Sequence, residues 1–189
     1  MKKVVVSLGI LSNILLATTT NYYEEALKYI KNKDIDKAYT LLLLAQENKN
    51  LDAYYTLGKI YLSKKSNYYN EKKAYNSFVY AANNGHAKSQ LFVGRLFLQG
   101  LTTQKDYDKA LYYFKEASKQ KEYKANCYIA YMYASGKGAF PNFGRAHVFA
   151  KKEYHKGNKL CIKVWNDYNL AKYPKDKGWN IGSYNKPTE

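Results

Sequence analysis

The segment AYYTLGKIYL, residues 53–62, decides the fold of this chain. Its apolar residues recur every three or four positions, which is the spacing of one face of a helix. Gly58 stands at its centre, where glycine disfavours a helix by about 1 kcal/mol relative to alanine. We therefore expect this glycine to have a packing role that offsets the penalty.

The same pattern returns twice further along the chain. SQLFVGRLFL begins at Ser89 and ANCYIAYMYA begins at Ala125, which places Gly58, Gly94 and Ala130 at intervals of 36 residues. A second series with the same period falls between these segments, at Ala38, Ala74, Ala110 and Ala146. Several residue classes that share one period indicate a repeat protein.

Each repeat of 36 residues is predicted to hold two helices joined by a short loop. One helical hairpin cannot cover its own apolar face, whereas stacked neighbours can. The sequence therefore predicts an all-α fold, an α-α superhelix (solenoid) of about four helix-turn-helix repeats over residues 20–172. The segment KLCIKVWNDYNLAKY, residues 159–173, is predicted to be a C-terminal capping helix, and residues 173–189 an irregular tail.

Small residues at fixed repeat positions are expected to let paired helices approach closely. Gly58, Gly94 and Ala130 would do so from the first helix of a pair. Ala74, Ala110 and Ala146 would do so from the second helix. Dense packing at a short distance would offset the low helix propensity of glycine.

The period and the pattern resemble the Sel-like repeat (SLR) family, a branch of the tetratricopeptide superfamily. Tetratricopeptide repeats have about 34 residues, whereas a longer unit with A…LGxxY, a glycine loop and then D/N…KA is similar to SLR units. The resemblance covers roughly residues 30–160 and is carried by Leu57, Gly58, Tyr61, Val93, Gly94, Gly100, Asp106, Lys109, Ala110, Ala117, Ala125, Gly136, Gly138, Arg145 and Ala146.

The resemblance implies a non-catalytic adaptor that holds another protein in a concave groove. Many bacterial SLR proteins are exported; one cysteine-rich branch is associated with binding or slow hydrolysis of β-lactams, and a periplasmic branch attaches to the flagellar stator. Neither branch has a motif that can be matched here residue by residue. The first repeat departs from the pattern, because Tyr22 stands where the glycine belongs, as expected of an N-terminal cap.

The first nineteen residues have the order of a secretory signal peptide. Lys2 and Lys3 precede an apolar run that ends at Leu16, and small residues follow. The run is shorter than the roughly 18 apolar residues typical of a membrane span. We expect residues 1–19 to be a cleaved signal peptide, the mature protein to be periplasmic or secreted, and membrane contact to be limited to export.

The formal net charge of +16 favours an anionic partner. One interpretation is a groove that accepts an acidic or extended segment of another protein, in the cell envelope or outside the cell. A second is a basic module that binds an anionic glycan or nucleic acid, although export argues against nucleic acid. A third is a slow hydrolase of cell-wall-like amides related to the β-lactam-binding branch.

Six residues of the predicted first helices are expected to line the concave groove. They are Tyr55, Lys59, Gln90, Arg95, Tyr128 and Tyr131. Aromatic and arginine side chains are frequent anchors of protein interfaces. The alternative is that most of these tyrosines fill contacts between repeats.

Cys127 and Cys161 are the two cysteines of the chain and fall on neighbouring predicted first helices. An even cysteine count in an exported protein favours a disulfide, which would fasten the capping helix to the last full repeat. The alternative is two buried thiols, because bridged Cα atoms lie within about 7 Å, whereas packed helix axes are about 8 to 10 Å apart.

The sequence shows no arrangement typical of catalysis. His86, His147 and His155 lack the spacing of a zinc site. GKGAFPNFG lacks the Lys-Ser or Lys-Thr ending of a P-loop, and no G-x-S-x-G nucleophile motif is present. We therefore expect no enzymatic activity, no cofactor and no metal.

Overall fold

The computed structural model describes residues 22–101 and 104–173. The predicted signal peptide and residues 174–189 of the predicted tail lie outside the described residues. Regular structure in the described part consists of α1 (22–31), α2 (Ile35–Glu47), α3 (Leu51–Leu62), α4 (Glu71–Asn83), α5 (Ala87–Gln99), α6 (Tyr107–Lys119), α7 (Lys124–Ser135), α8 (Phe143–His155), α9 (Lys159–Asp167) and a 3-10 turn (Leu170–Lys172). None of the described helices has the length and apolar character needed to cross a membrane.

Two compact units divide the described residues. Unit 1 ends at Ala81 and holds α1, α2, α3 and most of α4, whereas unit 2 begins at Ala82 and holds α5 to α9. In unit 1 α2 contacts α3, and in unit 2 each helix from α5 to α8 contacts the next helix in the chain. Each unit has its own buried core, with Leu42 and Leu57 in the first and Ile129 in the second.

Each second helix of a repeat begins at a capping side chain that follows the period. The side chains of Asp34, Asn70, Asp106 and Asn142 accept hydrogen bonds from the backbone N–H three residues later, at 3.2, 2.9, 2.9 and 2.8 Å. This contact satisfies an N–H group that has no partner within its own helix. The D/N…KA pattern in the sequence is therefore the start signal of α2, α4, α6 and α8.

An aromatic residue near the end of the first helix joins the two helices of three repeats. The carbonyls of Tyr61, Phe97 and Tyr133 accept hydrogen bonds from the N–H of the following cap residue, at 2.9, 3.1 and 2.9 Å. A cation three residues after each cap lies over the same ring. The distances from the charged group to the ring centre are 5.7 Å for Lys73, 5.5 Å for Lys109 and 5.7 Å for Arg145. A cation in the first turn of a helix opposes the helix dipole, so the ring contact compensates for an unfavourable position.

Gly58 and Gly94 make room for phenylalanine rings. A Cβ atom at position 58 would lie 2.7 Å from the ring of Phe78, and a Cβ atom at position 94 would lie 2.7 Å from the ring of Phe114. Both rings are fully buried. The missing side chain of each glycine is thus replaced in the core by the ring of the partner helix.

The structure changes the expected reason for these small residues. The space at the two glycines admits a side-chain ring, rather than the backbone of a neighbouring helix. The corresponding positions in the last repeat hold Ala130 and Ala150, both fully buried. The last repeat therefore gains one methyl group at Ala130 but has no phenyl ring at Ala150, so the ring-for-glycine exchange is limited to the two earlier repeats.

The turn after each second helix contains one residue in the left-handed backbone region. These residues are Lys49, Gly85, Lys121 and Gly157, with φ of 58°, 92°, 67° and 79°. The period therefore extends to backbone conformation even where lysine replaces glycine.

The C-terminal end differs from the predicted helix over 159–173. α9 ends at Asp167, and Asn169 takes a φ of 50° before the short 3-10 turn. Residues Leu170 and Cys161 are fully buried, and α9 contacts both α7 and α8. The segment therefore caps unit 2 as expected, but as a shorter helix followed by a turn.

Candidate functional site

Three of the predicted groove residues occupy one repeat position. Lys59, Arg95 and Tyr131 stand on α3, α5 and α7 at intervals of 36 residues. Lys59 is exposed, and the other two are partly exposed. The first helices thus keep one solvent-facing position for a cation or a tyrosine.

In unit 1, Tyr55 and Lys59 lie against each other. The ammonium group of Lys59 is 5.9 Å from the centre of the Tyr55 ring. The same ring meets Phe78 edge-on at 5.7 Å. Tyr55 is therefore partly a packing residue and partly a support for the lysine.

In unit 2, Arg95 and Tyr128 are supported by neighbouring rings. The guanidinium carbon of Arg95 lies 5.8 Å from the ring of Phe92. Its Nε atom is buried and has no hydrogen-bond partner among the described residues. The ring of Tyr128 stacks on that of Phe114 at 4.7 Å. Both side chains remain partly exposed.

Tyr131 is held by the loop that follows α7. Its hydroxyl accepts a hydrogen bond from Lys137, whose ammonium group also lies 4.8 Å from the Tyr131 ring. This hydrogen bond raises the pKa of Lys137. The loop packs closely against α6 at Gly138, where a Cβ atom would lie only 2.5 Å from the carbonyl oxygen of Tyr107. The loop thus orients Tyr131 from the side.

Gln90 does not belong to the predicted groove. Only 6% of its surface is exposed. Its amide nitrogen donates to the carbonyl of Ala82 at 3.2 Å, and its amide oxygen accepts from Gln120 at 2.8 Å. Both ends of the amide are therefore used inside unit 2, at the contact between successive helix pairs.

Phe92 is a candidate interface residue that the sequence pattern alone did not identify. It lies beside Arg95 and is partly exposed. The repeat register contains the signal, because Phe92 stands 36 residues before Tyr128. Unit 1 also has a shallow cavity of about 370 Å³, lined by Leu43, Gln46, Glu47, Lys49, Tyr54 and Tyr80, which the sequence did not indicate.

A disulfide joins Cys127 of α7 to Cys161 of α9 in the structure. The two Cα atoms are 4.8 Å apart, closer than the usual separation of packed helix axes. Both cysteines are fully buried. The bridge fastens the capping helix to the first helix of the last repeat.

Two of the three histidines, His86 and His147, have structural partners. His86 caps α5, since its Nδ1 atom accepts from the N–H of Ser89 at 3.2 Å. Nδ1 of His147 donates to the carbonyl of Leu170 at 2.9 Å and holds the final turn. Across residues 22–101 and 104–173, no three histidine, cysteine, aspartate or glutamate side chains are grouped as metal ligands would be.

These observations define a helical repeat protein built from paired α-helices with one register. Two solved structures share the fold. A Sel1 repeat protein from Oxalobacter formigenes matches with a TM-score of 0.72 at 24% identity, over 84% of this chain and 68% of its own. An SLR-fold protein described as a protective antigen of uropathogenic Escherichia coli strains matches with a TM-score of 0.71 at 22% identity, over 82% of this chain and 34% of its own.

No family model and no curated protein matches the sequence. The structural likeness nevertheless shows that this chain has the SLR fold, an all-helical α-α superhelix. The predicted all-α fold and the predicted resemblance are thereby confirmed.

Proposed function

We propose that this protein is a non-catalytic repeat scaffold that binds an acidic or extended segment of another protein on its first helices. The observation that carries the proposal is a set of partly exposed aromatic and basic side chains on α5 and α7 of unit 2. The set, here called the aromatic face, consists of Phe92, Arg95, Tyr128 and Tyr131.

The chemistry of the aromatic face suits a peptide with a carboxylate. Rings that are already stacked, such as Tyr128 on Phe114, lose little conformational entropy when a partner covers them. Arg95 supplies a planar cation that can bind a carboxylate through two hydrogen bonds. The excess of basic residues across the chain favours an acidic segment over a basic one.

We place the mature protein in the periplasm or outside the cell. The apolar leader at residues 1–19 supports export, and the buried Cys127–Cys161 bridge fits an oxidising compartment. Fractionation of cells that express the full chain should recover a shortened protein with the envelope or the medium. An uncut protein in the cytosolic fraction would contradict this location.

A photo-crosslinking amino acid at position 131 tests the aromatic face in living cells. The partner should be captured from position 131, and capture should fall when Arg95→Ala is added. The matched control carries the crosslinker at position 72, which is exposed on the second helix α4. The combined variant Tyr55→Ala, Arg95→Ala and Tyr131→Ala should lose the same partner in a pull-down.

Equal capture from positions 131 and 72 would contradict the aromatic face, and so would a partner retained by the triple variant. Thermal unfolding of each variant separates lost binding from lost folding. Turnover of a chromogenic β-lactam above that of a heat-inactivated control would instead favour the alternative that the protein is a slow hydrolase of cell-wall-like amides.

A further inference from the structure

The second helices of unit 2 are more basic than those of unit 1 at matching repeat positions. At three such positions the residues, in chain order, are Leu43, Val79, Lys115 and Lys151; Leu44, Tyr80, Glu116 and Lys152; and Asn48, Asn84, Gln120 and Lys156. Lysine appears at these positions only in the last two repeats. Lysine at these three positions is therefore confined to α6, α8 and the turn after α8.

Two cations from different helices converge on the ring of Tyr133. Lys115 of α6 holds its ammonium group 5.5 Å from the ring centre, and Arg145 of α8 holds its guanidinium carbon at 5.7 Å. Burial, followed by the charges of Arg145 and Lys119, lowers the pKa of Lys115 to about 8. Like charges brought together at a partly dehydrated position favour a bound anion.

A second pair of cations lies over the ring of Tyr123, just after α6. The ammonium groups of Lys152 and Lys156 are each 4.9 Å from its centre. From Arg145 to Lys156 the chain advances eleven residues, or about 16 Å along a helix axis at 1.5 Å per residue. The two pairs therefore mark the ends of one row of cations along α8.

Two carboxylates lie among these cations. Glu116 pairs with Lys119 at 2.7 Å, and Glu153 pairs with Lys156 at 2.8 Å. We propose that the surface of α6 and α8 in unit 2 binds an anionic glycan, a sugar polymer with repeated sulfate, phosphate or carboxylate groups. This surface is called the basic face and consists of Lys115, Lys119, Arg145, Lys152 and Lys156.

The surroundings of these cations favour a glycan over nucleic acid or a membrane. Single-stranded nucleic acid is held by bases that stack on accessible rings. Tyr133 is only 3% exposed, and two cations lie over its ring and two over the ring of the partly exposed Tyr123. Membrane binding combines cations with apolar side chains on the same surface. Among the described residues of unit 2, the most exposed large apolar side chains, Leu101 and Phe140, lie on loops and not on α6 or α8.

A heparin hexasaccharide serves as the probe, titrated calorimetrically into the full mature chain. Affinity should fall by roughly 50-fold between 50 and 200 mM salt if about four charges are neutralised. The double variant Lys115→Gln/Lys152→Gln should bind at least about tenfold more weakly. Its matched control, Lys64→Gln/Lys65→Gln, removes the same charge from an exposed loop of unit 1 and should bind as the parent does.

A second readout is the titration of the Lys115 amine by NMR. A bound anion favours the charged form, so the hexasaccharide should raise its pKa. The proposal would be overturned by equal losses in the two double variants, because net charge alone would then explain binding. Tighter binding to a single-stranded oligothymidylate, to anionic vesicles or to an acidic peptide would overturn the assignment to a glycan.

Discussion

Gly94 is a residue at which two opposing effects can be separated by experiment. Alanine in place of glycine favours a helix by about 1 kcal/mol, but its Cβ atom would lie 2.7 Å from the buried Phe114 ring. Overpacking of a core costs about 1 to 3 kcal/mol, so Gly94→Ala should lower the stability by a net amount of up to about 2 kcal/mol.

The sign of this effect should reverse when the ring is removed. In a Phe114→Leu background, Gly94→Ala should raise the stability by up to about 1 kcal/mol, since only the helix propensity remains. Urea unfolding of the four proteins of this double-mutant cycle provides the measurement. The same sign in both backgrounds would show that the ring does not determine the glycine. The larger change Gly94→Leu should destabilise by about 1 to 3 kcal/mol.

Lys121 has a backbone conformation that favours glycine. Its φ is 67°, and a Cβ atom added at the equivalent Gly85 or Gly157 would meet no heavy atom within 4 Å. A left-handed conformation costs a residue with a Cβ atom about 1 to 2 kcal/mol. Glycine avoids this cost, but it also makes the unfolded chain more flexible, which offsets part of the gain in stability.

Lys121→Gly should therefore raise the stability by up to about 1 kcal/mol. Gly157→Ala should lower the stability by a similar amount, without any steric contact. Thermal unfolding at a fixed protein concentration compares the two variants with the parent. A lower melting temperature for Lys121→Gly would show that its side chain, and not its backbone, matters at this turn.

The capping side chain at the start of each second helix is a carboxylate in two repeats and an amide in the other two. Asp34 and Asp106 pair with the lysine three residues later, at 3.3 and 3.1 Å, as well as capping the helix. Asn142 caps α8 through the N–H of Arg145 but brings no charge.

Loss of this cap should weaken α8. Asn142→Ala should cost about 1 kcal/mol of stability. Asn142→Asp keeps the cap, adds a charge that suits the helix N-terminus and faces Arg145, and should raise the stability by about 0.3 to 1 kcal/mol. Chemical unfolding of both variants decides this, and an Asp variant less stable than the Ala variant would contradict the role of the cap.

Features that depend on near neighbours in the chain were predictable, and those that depend on distant contacts were less so. Helix spacing, the period and the D/N…KA start signal are local, so the helices and their order follow from them. Gln90 lies on a first helix, but the periodicity could not show that Gln120 and Ala82 would use its amide. Asn169 interrupts the last predicted helix through a backbone conformation that apolar spacing does not encode.

The disulfide acts on the stability of the whole chain through its C-terminal cap. Closing a loop between residues 34 apart in sequence is expected to stabilise by about 3 to 4 kcal/mol in the chain-entropy model. Cys127→Ser/Cys161→Ser should therefore lower the free energy of unfolding by up to that amount. Mass spectrometry of alkylated, unreduced and denatured protein tests the bridge itself, and two alkylated cysteines would contradict it.

The whole molecule is expected to show two binding modes with different salt dependence. The aromatic face relies on stacked rings and one arginine, so its affinity for a peptide should change little between 50 and 200 mM salt. The basic face releases counterions when it binds a polyanion, so its affinity should fall steeply over the same range.

Variants of the two faces should separate these modes in one protein. Arg95→Ala/Tyr131→Ala should weaken capture of the protein partner and leave the heparin hexasaccharide affinity unchanged, whereas Lys115→Gln/Lys152→Gln should have the opposite effect. Parallel titrations at the two salt concentrations measure both. If each double variant weakened both ligands equally, the ligands would share one surface, and charge attraction would account for binding without any role for the repeat register.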